Sequence, residues 1–274
     1  MIISVGAKTD IGRRRIDNED NFCVDVEIGL LAVADGVGGA AYGELASKMG
    51  VEIIRSYIRS PKTQNAPIID NLQKEFSKAT MRLNAAIMFA NQVIYEASRS
   101  NPLWQGMSAT LAAVLLENNR LSLIHAGDSR IYLIRAGMIE RLTDDHTFVY
   151  EQVSKGLSPG ENEQTSLNVI TRALGVSPEI ETSVDEMTIF DGDILLLCTD
   201  GLNTLLSDDE MAETIKTSRS PKDACNRLVD MANARGGLDN ITVITAFISD
   251  KRRFSFLYDI FKKAKSQIMF KLWE

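Results

Sequence analysis

Two histidines and three cysteines in 274 residues leave little from which to build a soft-metal or redox site. Cys23, Cys198 and Cys225 are far apart and form no CxxC pair. That argues against a zinc site and a disulfide framework, and predicts free thiols in a reducing compartment. Cys198 closes the apolar run Ile194-Leu195-Leu196-Leu197 and reads as a small core residue. No apolar stretch reaches the roughly 20 residues of a spanning helix, and the N-terminus has no signal-peptide core, so the expectation is a cytoplasmic protein. Positive charge is short as well. Thirty Lys and Arg against 37 Asp and Glu give a net charge of −7, which argues against general nucleic-acid binding. The shortfall is uneven: residues 251–274 hold seven basic and two acidic side chains, a net of +5, so residues 1–250 carry −12.

What is present is ordinary globular material, 45% hydrophobic and long enough to bury a sizeable core. Alternating or continuous apolar runs predict strands at 2–7, 22–28, 30–34, 107–116, 121–125, 130–134, 138–142, 184–189, 193–198 and 240–248. Helical spacing marks 44–58 and roughly 70–98, the latter with Leu72, Phe76, Leu83, Ile87 and Ile94 on one stripe. Two further helices are expected at 208–217 and 221–234, the second opened by Pro221. Residues 60–67 read as a loop, and 144–168 as a polar excursion with one short helix. Strands segregated from helices in this order predict an α+β layered fold.

Carboxylates recur at the ends of apolar strands or beside glycine turns: Glu19-Asp20, Asp35-Gly36, Asp128 after Gly127, Asp200-Gly201, and Asp239 after Gly236-Gly237-Leu238. A single Asp-Gly is most simply a solvated turn. Five such stations can converge on one rim of a sheet, where they would repel one another unless cations neutralise them. An all-oxygen donor set points to hard ions, Mg²⁺ or Mn²⁺. Arg13, Arg14 and Arg15 each offer a guanidinium fork for phosphate, and chemistry alone does not choose among them.

Several stretches occur in an order that carries a resemblance. They are Thr9-Asp10-Ile11-Gly12 with Arg15-Ile16-Asp17-Asn18-Glu19-Asp20, Val33-Ala34-Asp35-Gly36-Val37-Gly38-Gly39 with Gly43-Glu44-Leu45-Ala46-Ser47, and Ala126-Gly127-Asp128-Ser129-Arg130. Leu142-Thr143 with Asp145-His146-Thr147, Val169 to Gly175, Leu196 to Leu202 and Gly237 to Val243 complete the set. The chain resembles the metal-dependent PP2C-type (PPM) serine/threonine protein phosphatases in their bacterial form, over residues 9–248.

The resemblance implies a four-layer αββα sandwich, two antiparallel sheets flanked by helix pairs, occupying residues 1–250. It implies a binuclear Mn²⁺ or Mg²⁺ centre in which Asp35 bridges both ions and the Gly36 carbonyl completes one site. Asp200 and Asp239 would hold the first ion and Glu19 would serve the second. Asp20 would orient water, Asp128 with Asp200 would bind a third, weaker ion, and Arg15 would take the substrate phosphate. The implied reaction is hydrolysis of phosphoserine and phosphothreonine on proteins by a metal-bridging hydroxide, reversing a bacterial Ser/Thr kinase, by a monomeric enzyme. A non-catalytic phosphoprotein-binding regulator and a small-molecule phosphatase compete with this reading, although none of the residues that a regulator would lose is missing.

The sequence departs from the family at Val37, where many eukaryotic members carry a histidine; the acid for the leaving group is then a bound water or His146, itself equally readable as a structural hydrogen-bonder. Met107-Ser108-Ala109-Thr110 replaces the family's Met-Gly-Thr-Thr, and Leu167 stands where bacterial relatives often have arginine. The resemblance ends before residue 251. There Phe254, Leu257, Ile260, Phe261, Ala264, Ile268 and Leu272 recur at helical spacing beside four lysines. Such a basic amphipathic tail could dock on the acidic body, on a partner or on an anionic membrane.

Overall fold

The computed structural model describes residues 1–37, 42–63, 75–154 and 169–249. One sheet has the order β1 (Ile2–Asp10), β12 (Ile241–Ser249), β11 (Ile194–Cys198), β8 (Arg130–Arg135), β9 (Met138–Arg141). The other runs β10 (Ser183–Thr188), β7 (Arg120–Ala126), β6 (Leu111–Glu117), β3 (Leu30–Ala34), β2 (Asn21–Asp25). Every pairing in both sheets is antiparallel.

Strand β3 shows why its run is apolar without interruption. Side chains alternate faces along a strand. Leu31 and Val33 therefore pack between the sheets with Ile131, Leu133, Leu197 and Ile244. Leu30, Ala32 and Ala34 turn the other way, onto α1 (Gly43–Arg59) and α2 (Lys78–Ser100), meeting Ile54, Leu83 and Ile87. A third apolar layer joins the first sheet to α5 (Asp208–Lys216) and α6 (Pro221–Ala234) through Leu196, Met211, Leu228 and Val243. The expected αββα layering is therefore the observed one. All three cysteines are buried as free thiols, with Cys198 in the α6-side layer.

Four local expectations are corrected. The strand expected over 22–28 ends at Asp25, because residues 26–29 turn and Gly29 takes φ +72°. The helix expected from 70 begins at Lys78, where the Ser77 hydroxyl accepts from Thr80 N–H as an N-cap. Phe76 thus precedes the helix, and Leu72 lies outside the described residues. The strand expected over 107–116 is two: β5 (Ser108–Ala109) leaves the large sheet to pair with β4 (Gly36–Val37), and β6 starts at Leu111. A one-turn helix, α4 (Asp200–Asn203), was not foreseen. The short helix expected in the polar excursion is α3 (Phe148–Ser154); residues 155–168 of that excursion, Leu167 among them, Gly38 and Gly39, and the tail from residue 251 lie outside the described residues. No helix among the described residues is long and apolar enough to cross a membrane.

Candidate active site

Strand register brings the acidic stations to common ends. In the first sheet Asp10 pairs with Ile241, and Cys198 pairs with both Val243 and Arg130. One edge of that sheet therefore carries Asp239 before β12, Asp200 after β11 and Asp128 before β8. In the second, Asn21 pairs with Ala34 and Leu111 with Ala126, so Asp20 before β2 and Asp35 after β3 share an end. The two ends meet: Thr199 Oγ1 of one layer donates to Asp20 Oδ2 of the other at 2.8 Å.

Backbone fixtures set each station. Thr110 N donates to the Asp35 carbonyl at 2.8 Å, and Asp35 N donates to Thr110 Oγ1 at 3.2 Å. This reciprocal pair is what breaks the strand at residue 110. Thr110 Oγ1 also shares a 2.7 Å hydrogen bond with Ser129 Oγ, beside Asp128. Gly36 N donates to the Glu19 carbonyl at 3.2 Å. Opposite, a Cβ on Gly43 would lie 2.9 Å from the Glu19 carboxyl carbon, so a glycine lets that side chain lie against the start of α1. Ser108 Oγ donates to the Val37 carbonyl at 3.0 Å, so the hydroxyl introduced by the departure at Ser108-Ala109 is satisfied.

Asn240 organises the rim, a role its place in the Asp239-Asn240 motif did not reveal. Its Oδ1 accepts from Glu19 N at 2.9 Å while Nδ2 donates to the Ile11 and Asp17 carbonyls, both at 3.0 Å. A Cβ on Gly201 would stand 2.0 Å from the Asn240 carbonyl, which explains the glycine after Asp200. Of the three arginines, Arg15 reaches the carboxylates: its Nη2 donates to Asp239 Oδ2 at 2.6 Å. Arg13 is held by its backbone, whose N–H donates to the Gly237 carbonyl at 2.7 Å.

Gathering acids away from water makes their ionisation costly. Burial, then the neighbouring Asp200 and Asp239, pushes Asp20 up to about 7 even though Thr199 and Thr242 hydrogen-bond it. Burial also carries Asp35 well above the usual carboxylate range, with Asp20, Asp200, Asp239 and Asp128 adding repulsion. Burial and Asp200 push Asp128 up to about 7. Asp200 is raised by burial and by Asp239, and Glu19 is raised by burial against the pull of Arg15.

The donor chemistry fits divalent cations. Asp20 Oδ1 and Asp200 Oδ1 are buried oxygens without a hydrogen-bond partner, which is costly unless a cation or water satisfies them. Among the described residues no three acidic, histidine or cysteine side chains are already drawn to one point as a ligand cluster. Within the rim Arg15 holds Asp239. His146 is not poised as an acid. Gly127 N donates to its Nδ1 at 3.2 Å, so Nε2–H faces Ser183 Oγ at 2.9 Å. Its ring stacks on His125 with centroids 4.4 Å apart, and burial followed by the His125 neighbour brings its pKa down to about 3.

Residues 12–235 match the family described as Protein phosphatase 2C. The serine/threonine protein phosphatase PstP of Mycobacterium tuberculosis is 34% identical over 91% of this chain, which spans only 46% of that protein's length. The serine/threonine phosphatase stp of Listeria monocytogenes is 31% identical over 86% of this chain and 92% of its own. The crystal structure of the M. tuberculosis PstP/Ppp superposes with a TM-score of 0.78 at 32% identity, covering 91% of this chain and all of that one. A PstP catalytic domain in complex with two manganese ions gives a TM-score of 0.75 at 33% identity, covering 90% and 99%. With its sandwich and its sequence both matching, the chain belongs to the protein phosphatase 2C family.

Proposed function

We propose that this protein is a metal-dependent phosphatase that hydrolyses phosphoserine and phosphothreonine on proteins. The observation that carries the reading is a rim where desolvated aspartates with orphaned oxygens sit beside an arginine fork. In this reading Asp35, the Gly36 carbonyl, Asp200, Asp239 and Glu19 hold two divalent cations, Mn²⁺ or Mg²⁺, and Asp128 with Asp200 holds a third. Such ions lower the pKa of a bound water and neutralise charge on a phosphoryl group in line for displacement.

The chain's own residues do the positioning that phosphate-ester cleavage chiefly needs. Arg15 binds two phosphate oxygens with its planar fork and orients the ester. Asp20, fixed through Oδ2 by Thr199, leaves Oδ1 free to accept a hydrogen bond from the attacking water. Residues 1–250 form the catalytic unit, a monomer in the cytoplasm acting against a Ser/Thr kinase, and residues 251–274 serve contacts with a partner or a membrane surface. Initial rates on a phosphothreonine peptide, with Mn²⁺ and with excess chelator, test the reading. Turnover should vanish on chelation and return with Mn²⁺. Full activity in chelator would overturn it, and a nucleotide that outcompetes the peptide would move the assignment to small-molecule phosphatases.

A further inference from the structure

The catalytic rim bears two apolar side chains that the chemistry above does not use. Ile16 follows Arg15 and is 90% exposed, more than any other large hydrophobic among the described residues. Leu238 precedes Asp239 and is 57% exposed. Both thus adjoin the two residues joined by the 2.6 Å contact from Arg15 to Asp239.

Scattered apolar side chains on a surface need no explanation. These two differ because their backbones are held at fixed points. Asn240 Nδ2 grips the carbonyls of Ile11 and Asp17, pinning the loop on both sides of Ile16. Asn18 Nδ2 donates to Thr9 Oγ1 at 2.9 Å, and Arg13 N donates to the Gly237 carbonyl beside Leu238 at 2.7 Å. The two loops are laced together, so Ile16 is held out in water by a frame that could have turned a polar residue outward at no cost. An anchored apolar side chain beside a phosphate-binding group suits a ligand whose own apolar group lies close to its phosphate.

We infer that Ile16 and Leu238 are specificity residues, forming an apolar lip that binds a large hydrophobic side chain one or two positions from the phosphorylated residue of the substrate. The inference rests on the phosphoprotein reading above. Consecutive Cα atoms are about 3.8 Å apart, so with the phosphate on Arg15 a residue one or two positions away in the substrate passes along the two loops that carry Ile16 and Leu238 next to Arg15 and Asp239. Burying part of a leucine there favours association without touching the bond that breaks, so the selectivity belongs in KM.

The test uses the full chain with Mn²⁺ and two phosphothreonine peptides that differ only in leucine or serine at the flanking positions. The unaltered protein should favour the leucine peptide about fivefold to tenfold in kcat/KM, through KM. Ile16→Ser and Leu238→Ser should each shrink that ratio and together bring it to about one, whereas Ile16→Leu should keep it. An unaltered protein indifferent to the flanking residue overturns the inference. So does an equal loss on both peptides, which would mean that the loop only supports Arg15. Hydrolysis of p-nitrophenyl phosphate without hydrolysis of either peptide would instead overturn the protein-phosphatase reading, and this inference with it.

Discussion

The Arg15 guanidinium donates to Asp239 Oδ2 at 2.6 Å, so the residue proposed to bind phosphate and a residue proposed to bind metal neutralise each other. The contact raises the pKa of Arg15 first through that hydrogen bond. The guanidinium is half exposed, and an ion pair of such exposure contributes about 0–1 kcal/mol. Exchange for a divalent cation on one side and a phosphate on the other is therefore easy. Arg15→Ala should raise KM for a phosphothreonine peptide about tenfold to a hundredfold, the range expected for a charge-assisted hydrogen bond. It should leave the Mn²⁺ concentration for half-maximal activity unchanged or lower, because Asp239 is released. Arg13→Ala and Arg14→Ala should stay within about twofold. Steady-state kinetics across a Mn²⁺ series checks all three, and a higher Mn²⁺ requirement in Arg15→Ala would contradict the competition.

Asp35 combines burial with repulsion from four other aspartates. Removing its charge should therefore separate function from stability. Asp35→Asn should abolish turnover while raising the melting temperature in excess chelator. For a chain of this size each kcal/mol relieved corresponds to about 2–4 °C. Asp239→Asn should also abolish turnover. Loss of far-ultraviolet circular dichroism in Asp35→Asn would show instead that the carboxylate is a structural acceptor.

The pH dependence of the chelated protein should run opposite to ordinary acid denaturation. Asp20 and Asp128 stand near pKa 7 against a usual value of 3.8, so the folded chain binds protons more tightly than the unfolded one. Their contribution is complete below pH 3.8 and is lost as pH rises through about 7. Asp25, lowered by its Arg59 and Arg55 partners, and Glu210, held at about 2 by Arg235, lose their contributions only at lower pH. Between pH 5 and 8 the melting temperature in chelator should accordingly fall. Saturating Mn²⁺ should flatten or invert the trend, since ligands bind metal deprotonated. Parallel curves with and without Mn²⁺ would count against these carboxylates as the metal site.

How much of this could be read beforehand depended on the range of the interaction. The layers were legible because β3 is apolar at every position and α2 repeats its stripe over Leu83, Ile87 and Ile94, both local signals. The acids were legible because each follows or precedes an apolar strand. The break at Thr110 was not, because its cause is a bond to Asp35, 75 positions away, and a run of apolar residues looks the same on either side. Asn240 was visible only as a motif letter; its work is done on Glu19, Ile11 and Asp17, over 200 positions distant. Arg15 was separated from Arg13 and Arg14 only by resemblance, and its contact to Asp239, 224 positions away, has no local signal in the sequence.

His146 should prove structural. With Nδ1 taken by Gly127 N–H and Nε2 by Ser183, neither nitrogen is left to protonate a leaving group, and His125 stacks on the ring. His146→Gln should lower the melting temperature by several degrees, since an abandoned buried donor costs about 1–3 kcal/mol. It should leave the acidic limb of the pH–rate profile in place and kcat within about threefold. A shifted limb with unchanged stability would restore the histidine as an acid.

The last expectation concerns the boundary at residue 250. Strand β12 ends at Ser249, which pairs with Ile2 at the first residue of β1. Every proposed ligand, Arg15 and Asn240 also lie before it. Beyond it the sequence changes sign, from an acidic body to seven basic residues in 24, with apolar positions at helical spacing. A chain ending at Asp250 should therefore remain soluble and keep kcat/KM on a phosphothreonine peptide within about twofold. If the tail serves an anionic membrane, the intact protein should float with vesicles containing acidic lipid and the shortened one should not, and raised salt should release it, because charges outside a Debye length of about 8–10 Å are screened. Equal behaviour of both chains on vesicles would leave docking on the body or on a protein partner. Insoluble shortened protein would place residues 251–274 within the folded core and move the domain boundary to the end of the chain.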